Sequence, residues 1–379
     1  MRAAVLHGFG DLRVDEVPDP EVGPGEVLID VSCVQPSVTE CMLIAGEPIA
    51  LHRRLAEALA DGPVRFGGHE FCGVVGAVGA GVRNYRPGDR VTAVETLTCG
   101  RCAACRHDRA DACVRPEFLG FTRPGALAER VVVPESAVVP IPAGVSATAG
   151  AAIQPLAGAL HAHALAAVAP GESVLVLGAG VMGLLAVQVA RRGNAGLVAV
   201  SGRSPAKLAL ARRFGADLVI DATTDGTEGD HPVLTAILAA TGGVGADVVV
   251  ETAGGSPGHG LSGVDTLELA ARCARRGGRV VGVSVLPDGA PAPLGLLRER
   301  AVSLLHPRSG AGGYSPSGTV FTQALRLVAR SDVDVESLVT HQLTGIEAIP
   351  EAVRMTRDKT RYGAINPAQV RLGAGWGQP

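Results

Sequence analysis

The stretch SVLVLGAGVMGLLAVQVA constrains this chain more than any other. An apolar run, then Gly178-x-Gly180-x-x-Gly183, then a helix-forming run follow one another directly, with Val181 and Met182 opening the helix. Glycines at those places let the backbone turn tightly and approach a pyrophosphate, which the helix N-terminus then stabilises. The runs SVLVLG, GLVAVSG, ADLVID, ADVVVETAG and GRVVGVSV lack period-two alternation, and helical stretches such as VMGLLAVQVARR and SPAKLALARRFG separate them. Continuous apolar strands alternating with helices predict a parallel sheet covered on both faces. This part of the chain therefore reads as a dinucleotide-binding α/β unit.

The end of its second strand bears on which dinucleotide. An acid there would bind the adenosine ribose hydroxyls, yet LVAVSGRSPAK has no Asp or Glu between Gly196 and Lys207. Ser201, Gly202, Arg203 and Ser204 stand there instead. Guanidinium and hydroxyls suit a 2′-phosphate that a carboxylate would repel. The expected coenzyme is NADP(H), held by the three glycines, Val181, Met182, the 201–204 stretch and Lys207.

Before residue 145 or so the text changes to short apolar runs broken by Gly and Pro. VLIDVSCV, CGVVGAVG, DRVTAV and ERVVVP read as strands, PDPEVGPGE and YRPGDR as turns. After about residue 300 the chain returns to mixed α and β: FTQALRLVARS and IPEAVRMTRD read as helices, RYGAINPAQVRL as a final strand, and GAGWGQP as a loose tail. A chain of 379 residues is long enough for two domains. With 47% hydrophobic and 19% charged residues and a net charge of −3, nothing argues for nucleic acid or an anionic membrane as partner. No apolar run is long enough to span a bilayer and the start lacks a signal-peptide core, so cytoplasm is the expected location.

TCGRCAACRHDRADAC spaces four of the eight cysteines, Cys99, Cys102, Cys105 and Cys113, as C-x2-C-x2-C-x7-C. Four thiolates so spaced can close around one tetrahedral Zn2+ with no open position, which contributes folding energy rather than catalysis. Cys33 and Cys72 lie in apolar runs and read as core thiols; Cys273 has no evident role. His161 and His163, two apart on a helix, cannot share one face and read as structural or coenzyme-side residues.

Taken in order, the β-rich N-terminal part, GGHEFCGVVGAVGAGV, GDRV, the four-cysteine lobe, GALAERVVVP and the Gly-rich fingerprint resemble the zinc-containing medium-chain dehydrogenase/reductase family, in the style of its polyol and threonine dehydrogenase branch. The resemblance runs over roughly residues 1–372. It implies an α/β chain: a GroES-like β-rich catalytic domain with the zinc lobe over residues 1–152, a Rossmann domain with a doubly wound parallel sheet over 153–300, and a return to the catalytic domain over 301–379. It also implies hydride transfer to or from nicotinamide on a small-molecule substrate, and a homodimer or homotetramer.

Such enzymes usually hold a second, catalytic zinc, bound by a Cys after the strand VLIDVSCV, the His of GHE, and a Cys or Glu opening the first long helix. Carried over by position, the His is His69, followed by Glu70. The Cys falls on Pro36 or Ser37, the Glu on Gln154, and the Ser/Thr of the family's proton relay near Val38 or Thr39. Proline has no donor, neutral serine is a poor ligand, and an amide lacks the charge that holds Zn2+. The catalytic zinc is therefore expected to be absent, leaving one structural Zn2+ per chain.

His69 and Glu70 then have three readings. They serve the fold through hydrogen bonds; or an emptied metal pocket is refitted for acid–base work, with Ser37, Thr39, Glu40, Cys41, His69, Glu70 and Gln154 converging beside the nicotinamide; or a displaced metal sits on His69, Glu70 and either Glu40 or Cys41. Without a Lewis acid, substrates needing less oxyanion stabilisation are favoured. The expected activity is NADPH-dependent reduction of an activated C=C, C=N or carbonyl. The alternatives are a zinc-dependent secondary-alcohol or polyol dehydrogenase with substitute ligands, and a non-catalytic NADPH-binding protein. GEPIALHRRLAEALADGPVRFGG, between the strand-end loop and His69, is expected to line the cleft.

Overall fold

The computed structural model describes residues 1–107, 109, 112–223, 231–254, 264–286, 289–307, 313–314, 318–373 and 376. The chain divides into two units, one of Met1–Glu47, Leu51–Ala157 and Ser309–Pro379, the other of Pro48–Ala50 and Gly158–Arg308.

In the first unit the strand Glu26–Gln35 is the spine. It pairs antiparallel with Glu70–Val78, with Arg130–Pro134 along its first half, and with Gln369–Arg371 near its end. Arg90–Ala93 and Val138–Pro140 extend the sheet beyond Glu70–Val78, and Gln342–Thr344 extends it beyond Gln369–Arg371. The first half of the spine alternates, Val27 and Ile29 inward and Asp30 outward, as a strand with one wet face must. Its second half, Val31–Gln35, is buried throughout because the helix Ala147–Ala151 packs across that end. Val27, Ile29, Val31, Val75, Val91 and Val133 form the core with Ile349 and Met355 of the helix Ile349–Arg357. Residues 35–41 thus emerge from a sheet end buried on both faces. Cys33 and Cys72 are register partners inside it, and both thiols are pushed up by burial, Cys33 to about 12.

The stretch RYGAINPAQVRL departs from the single strand expected of it. Lys359–Tyr362 is a helix capped by Asp358, Gly363 turns the chain at φ 65, and only Gln369–Arg371 pairs as a strand. Pro367 has no N–H to give a ladder, so pairing begins two residues after it. Most of the GAGWGQP tail lies outside the described residues.

The second unit carries a six-stranded parallel sheet among the described residues. Its order is Leu218–Asp221, Leu197–Gly202, Ser173–Leu177, Ala246–Glu251, Ala274–Gly282, Ser303–Leu305, the doubly wound order with its topological switch beside Ser173–Leu177. Val174, Leu175, Val176 and Leu177 are all buried, which explains the missing alternation. TLELAARCARR is split: Val264–Cys273 is helix, and Ala274 onward is strand.

Candidate functional site

The site of the first unit is built around a glycine pair. Gly67 and Gly68 adopt φ 93 and 91, the left-handed region that a side chain disfavours. A Cβ on Gly68 would lie 2.2 Å from the Leu127 backbone nitrogen. This turn delivers His69 and Glu70 to the start of the strand Glu70–Val78. Gly68→Ala is expected to cost more than about 3 kcal/mol in denaturant unfolding, because two neighbouring backbones must move.

Ser37 begins the helix Val38–Ile44. Its hydroxyl accepts from the Glu40 backbone N–H (3.1 Å) and Glu40 Oε2 accepts from the Ser37 backbone N–H (2.8 Å), a complete capping box. The other Glu40 oxygen accepts from the backbone N–H groups of Gly68 (2.7 Å) and His69 (3.2 Å) and bonds His69 Nδ1 at 2.5 Å. Glu40 is fully buried and His69 and Glu70 nearly so. Glu40 therefore joins a helix start, the glycine turn and the imidazole. With Nδ1 committed to Glu40, His69 presents Nε2 to the rest of the site, 3.8 Å from Glu70 Oε1.

Glu70 Oε2 accepts from Gln35 Nε2, and Gln35 Oε1 accepts in turn from Asn366 Nδ2 (2.9 Å) and Gln369 Nε2 (2.8 Å). Gln154 Nε2 donates to Glu95 Oε1 at 3.2 Å; Glu95 is buried and its Oε2 has no hydrogen-bond partner among the described residues. Burial would push the His69 imidazolium down, but Glu40 above all, then Glu70 and Glu95, raise it to about 9. Burial raises the Glu70 carboxyl to about 7 against the pull of His69 and the Gln35 bond.

Of the residues expected to converge, Glu40, His69 and Glu70 lie in one network, with Ser37 tied to it as the cap. Gln154 bonds Glu95, whose charge acts on His69, and no local signal in the sequence marks Glu95. Thr39 is half-buried. Cys41 is buried and sends its thiol toward the Pro36 carbonyl at 3.8 Å, and burial raises that thiol well above its ordinary value, so it is no acid–base partner near neutral pH. Among the described residues only Cys99, Cys102, Cys105 and Cys113 bring three or more ligand atoms within 4.8 Å of one another. A displaced metal on His69, Glu70 and Glu40 or Cys41 gains no support from that geometry. The four sulfurs, with Cys102 and Cys105 at 3.4 Å and Cys99 and Cys105 at 4.0 Å, suit a tetrahedral ion whose Zn–S bonds of about 2.3 Å put sulfurs roughly 3.8 Å apart.

In the second unit, Gly178 (φ 99) turns out of the strand Ser173–Leu177, and a Cβ on Gly183 would lie 1.8 Å from the Gly178 carbonyl oxygen. The helix Val181–Arg192 can therefore start hard against the strand. Gly180, its N-cap, faces open space on the other side, at the helix end whose first-turn N–H groups have no partner within the helix. Val181 is buried and Met182 half-buried in that turn. At the next strand end Ser201 is buried, Gly202 packs under Ala179, and Arg203 is exposed beside half-buried Ser204. Lys207 sits partly buried on the following helix, and burial lowers its ammonium. His163 packs against Gly193, and burial lowers its imidazolium.

A doubly wound sheet with this glycine turn, carried on one chain with a β-rich unit bearing a four-cysteine lobe, defines a dinucleotide-binding dehydrogenase. Residues 23–143 match the alcohol dehydrogenase GroES-like domain and residues 180–330 the zinc-binding dehydrogenase domain. The chain belongs to the zinc-type medium-chain dehydrogenase/reductase family. It is 31% identical over 342 residues to the sorbitol dehydrogenase of Halalkalibacterium halodurans, covering 89% of this chain and 90% of that protein. It is likewise 31% identical over 341 residues to the L-threonine 3-dehydrogenase of Mesorhizobium japonicum, with 89% and 90% covered. A zinc-binding dehydrogenase structure from Sinorhizobium meliloti 1021, solved bound to NADP, superimposes with a TM-score of 0.77 at 29% identity over 98% of both chains. No helix among the described residues is long and apolar enough to cross a membrane.

Proposed function

We propose that this chain is an NADPH-dependent reductase that works without a catalytic zinc, reducing an activated C=C, C=N or carbonyl group of a small organic substrate. One observation carries the reading: two of the three places where the family keeps metal ligands hold neutral side chains already in use. Of the two positions on which the Cys falls, Pro36 has no donor and Ser37 spends its hydroxyl as a helix cap, while Gln154 donates its amide N–H to Glu95. His69 Nε2 is left as the one family ligand, which does not fit a tetrahedral Zn2+ site.

When bound, NADPH supplies a hydride from its reduced nicotinamide ring. The chain supplies the matching proton. His69, raised to about 9 by Glu40, is an imidazolium at neutral pH, and its Nε2–H is the proton to give. Hydride to one atom of the double bond and proton to the other complete a two-electron reduction, leaving a neutral imidazole that Glu40 holds in the Nδ1–H tautomer.

The coenzyme preference rests on the strand end where Arg203 and Ser204 stand without an acid. Arg203→Ala is expected to raise KM for NADPH by about 10- to 100-fold, the worth of one charge-assisted bond to a 2′-phosphate, with NADH kinetics almost unchanged. Equal losses with both coenzymes would remove the preference. A structural Zn2+ belongs to the four cysteines. Purified protein should therefore contain one zinc per chain, and a chelator weak enough to leave that ion in place should leave turnover intact. The rival reading, a polyol dehydrogenase with substitute ligands, draws on the carboxylates of Glu70 and Glu95 that act on His69. Two zinc ions per chain, one of them essential to turnover, would establish it instead.

A further inference from the structure

A cavity of about 460 Å3 opens between the helix His52–Ala60 and the turn at Phe121–Pro124. Leu55, Phe66 and Phe121 give it apolar walls, and three guanidinium groups, Arg54, Arg65 and Arg123, line it. Arg123 is already neutralised by Glu26 (2.5 Å) and Glu117 (3.6 Å). Arg65 differs. Among the described residues its buried Nε has no hydrogen-bond partner, and no carboxylate pairs with it or with Arg54. Burial alone lowers the Arg65 guanidinium below its ordinary value, the mark of a desolvated cation with no counter-charge.

Arg65 is also held in place. Val64 exchanges both backbone hydrogen bonds with Leu6 (2.8 and 2.9 Å), and the Gly67 N–H donates to the Gly120 carbonyl at 2.6 Å. A half-buried guanidinium on a fixed backbone, with no acceptor, costs desolvation that an anion would offset. The cavity and the candidate active site share one wall, the Phe121 ring. Phe121 meets Phe66 edge-on at 5.6 Å and packs on the His69 ring at 5.0 Å.

We infer that this cavity is the subsite for an anionic group of the substrate, a carboxylate or a phosphate carried on a small apolar body, with Arg65 as its principal ligand and Arg54 in support. The inference rests on the reductase reading above in taking the occupant to be substrate. It gives that reading a substrate class: small organic anions whose reducible bond lies on the His69 side of Phe121.

The test is binding without turnover. Protein saturated with NADP+, so that the coenzyme's own phosphate sites are filled, is titrated calorimetrically with inorganic phosphate and, separately, with malonate. Saturable binding of at least one is expected. It should weaken about 10-fold or more in Arg65→Gln and be largely kept in Arg65→Lys. Phosphate alone binding assigns a phosphate-bearing substrate, malonate alone a carboxylate-bearing one. Arg54→Gln, on an exposed helix position where folding is not at stake, should weaken binding about 3-fold and carries the test if Arg65→Gln does not fold. No saturable binding, or binding unchanged in these variants, overturns the inference. A second zinc would sink the reductase reading and leave the anion site standing, while absent anion binding would do the reverse.

Discussion

Replacing His69 by glutamine is expected to lower kcat for reduction by about 10²- to 10⁴-fold, the range that one positioned proton donor contributes, while NADPH binding stays the same. Glutamine can still donate an amide N–H to Glu40, so the turn at Gly67–Gly68 keeps its anchor. What disappears is a proton available at Nε2. The pH dependence separates this from a structural role. With its pKa raised to about 9, His69 should support reduction through neutral pH and lose that capacity as the solution passes about pH 9, a limb the glutamine variant should lack. Stability should follow the same sign. A group raised from 6.5 to about 9 contributes stability fully present below 6.5 and lost as pH rises through 9. Glu70, raised from 4.5 to about 7, loses its share earlier, as pH rises through 7. The protein should therefore be less stable at pH 9 than at pH 6, by up to a few kcal/mol, and His69→Gln should flatten the upper part of that slope. A kcat unchanged in His69→Gln would assign the ring to the fold alone.

How much of this was legible in advance depends on how far apart the partners lie in sequence. The strand–glycine–helix unit at 173–192 is a local signal, and its apolar run follows from burial on both faces of one sheet. The four cysteines span fifteen positions, and their convergence could be read from spacing. Glu40 was legible as a polar residue near the site but not as its organiser. Its capping box with Ser37 is local, whereas its bonds to Gly68 and His69 join residues 28 and 29 positions away. Glu95 and Asn366 carried no local signal at all. One lies in the short gap between the strands Arg90–Ala93 and Thr96–Leu97, and the other precedes a proline in a segment that reads as extended. Asn366 matters because the fold brings it to Gln35 and so to Glu70, and Glu95 because it bonds Gln154 and acts on His69, consequences of folding that no window of sequence contains. Arg65 was hidden for another reason. With only two lysines among 34 basic residues, arginine is everywhere in this chain, and what sets Arg65 apart is a missing partner, visible only in three dimensions.

Restoring the family's metal ligands should reverse the chemistry. The double variant Ser37→Cys with Gln154→Glu is expected to raise zinc content from one to two ions per chain, measured by elemental analysis after dialysis against a weak chelator. The thiolate at position 37, His69 Nε2 and the carboxylate at position 154 would then form a site of two anions and one imidazole, the open three-ligand type that keeps a fourth position for substrate. The substitution at 37 removes the hydroxyl that caps the helix Val38–Ile44, at a cost of about 1 kcal/mol. Zinc binding at such a site exceeds that cost several-fold. The carboxylate introduced at 154 can no longer donate to Glu95, so two acids would crowd there unless a cation lies between them. Metal and proton also compete for the same nitrogen. An imidazole must give up its Nε2 proton to bind zinc, so occupancy should rise with pH as His69 titrates. The zinc-loaded variant should lose the proton-donor reduction that depends on an imidazolium, and any activity it gains should be abolished by chelation. A ratio that stays at one zinc per chain would mean that Ser37 and Gln154 are not what keeps the cation out, and the absence of a catalytic metal would then need another cause than these two side chains.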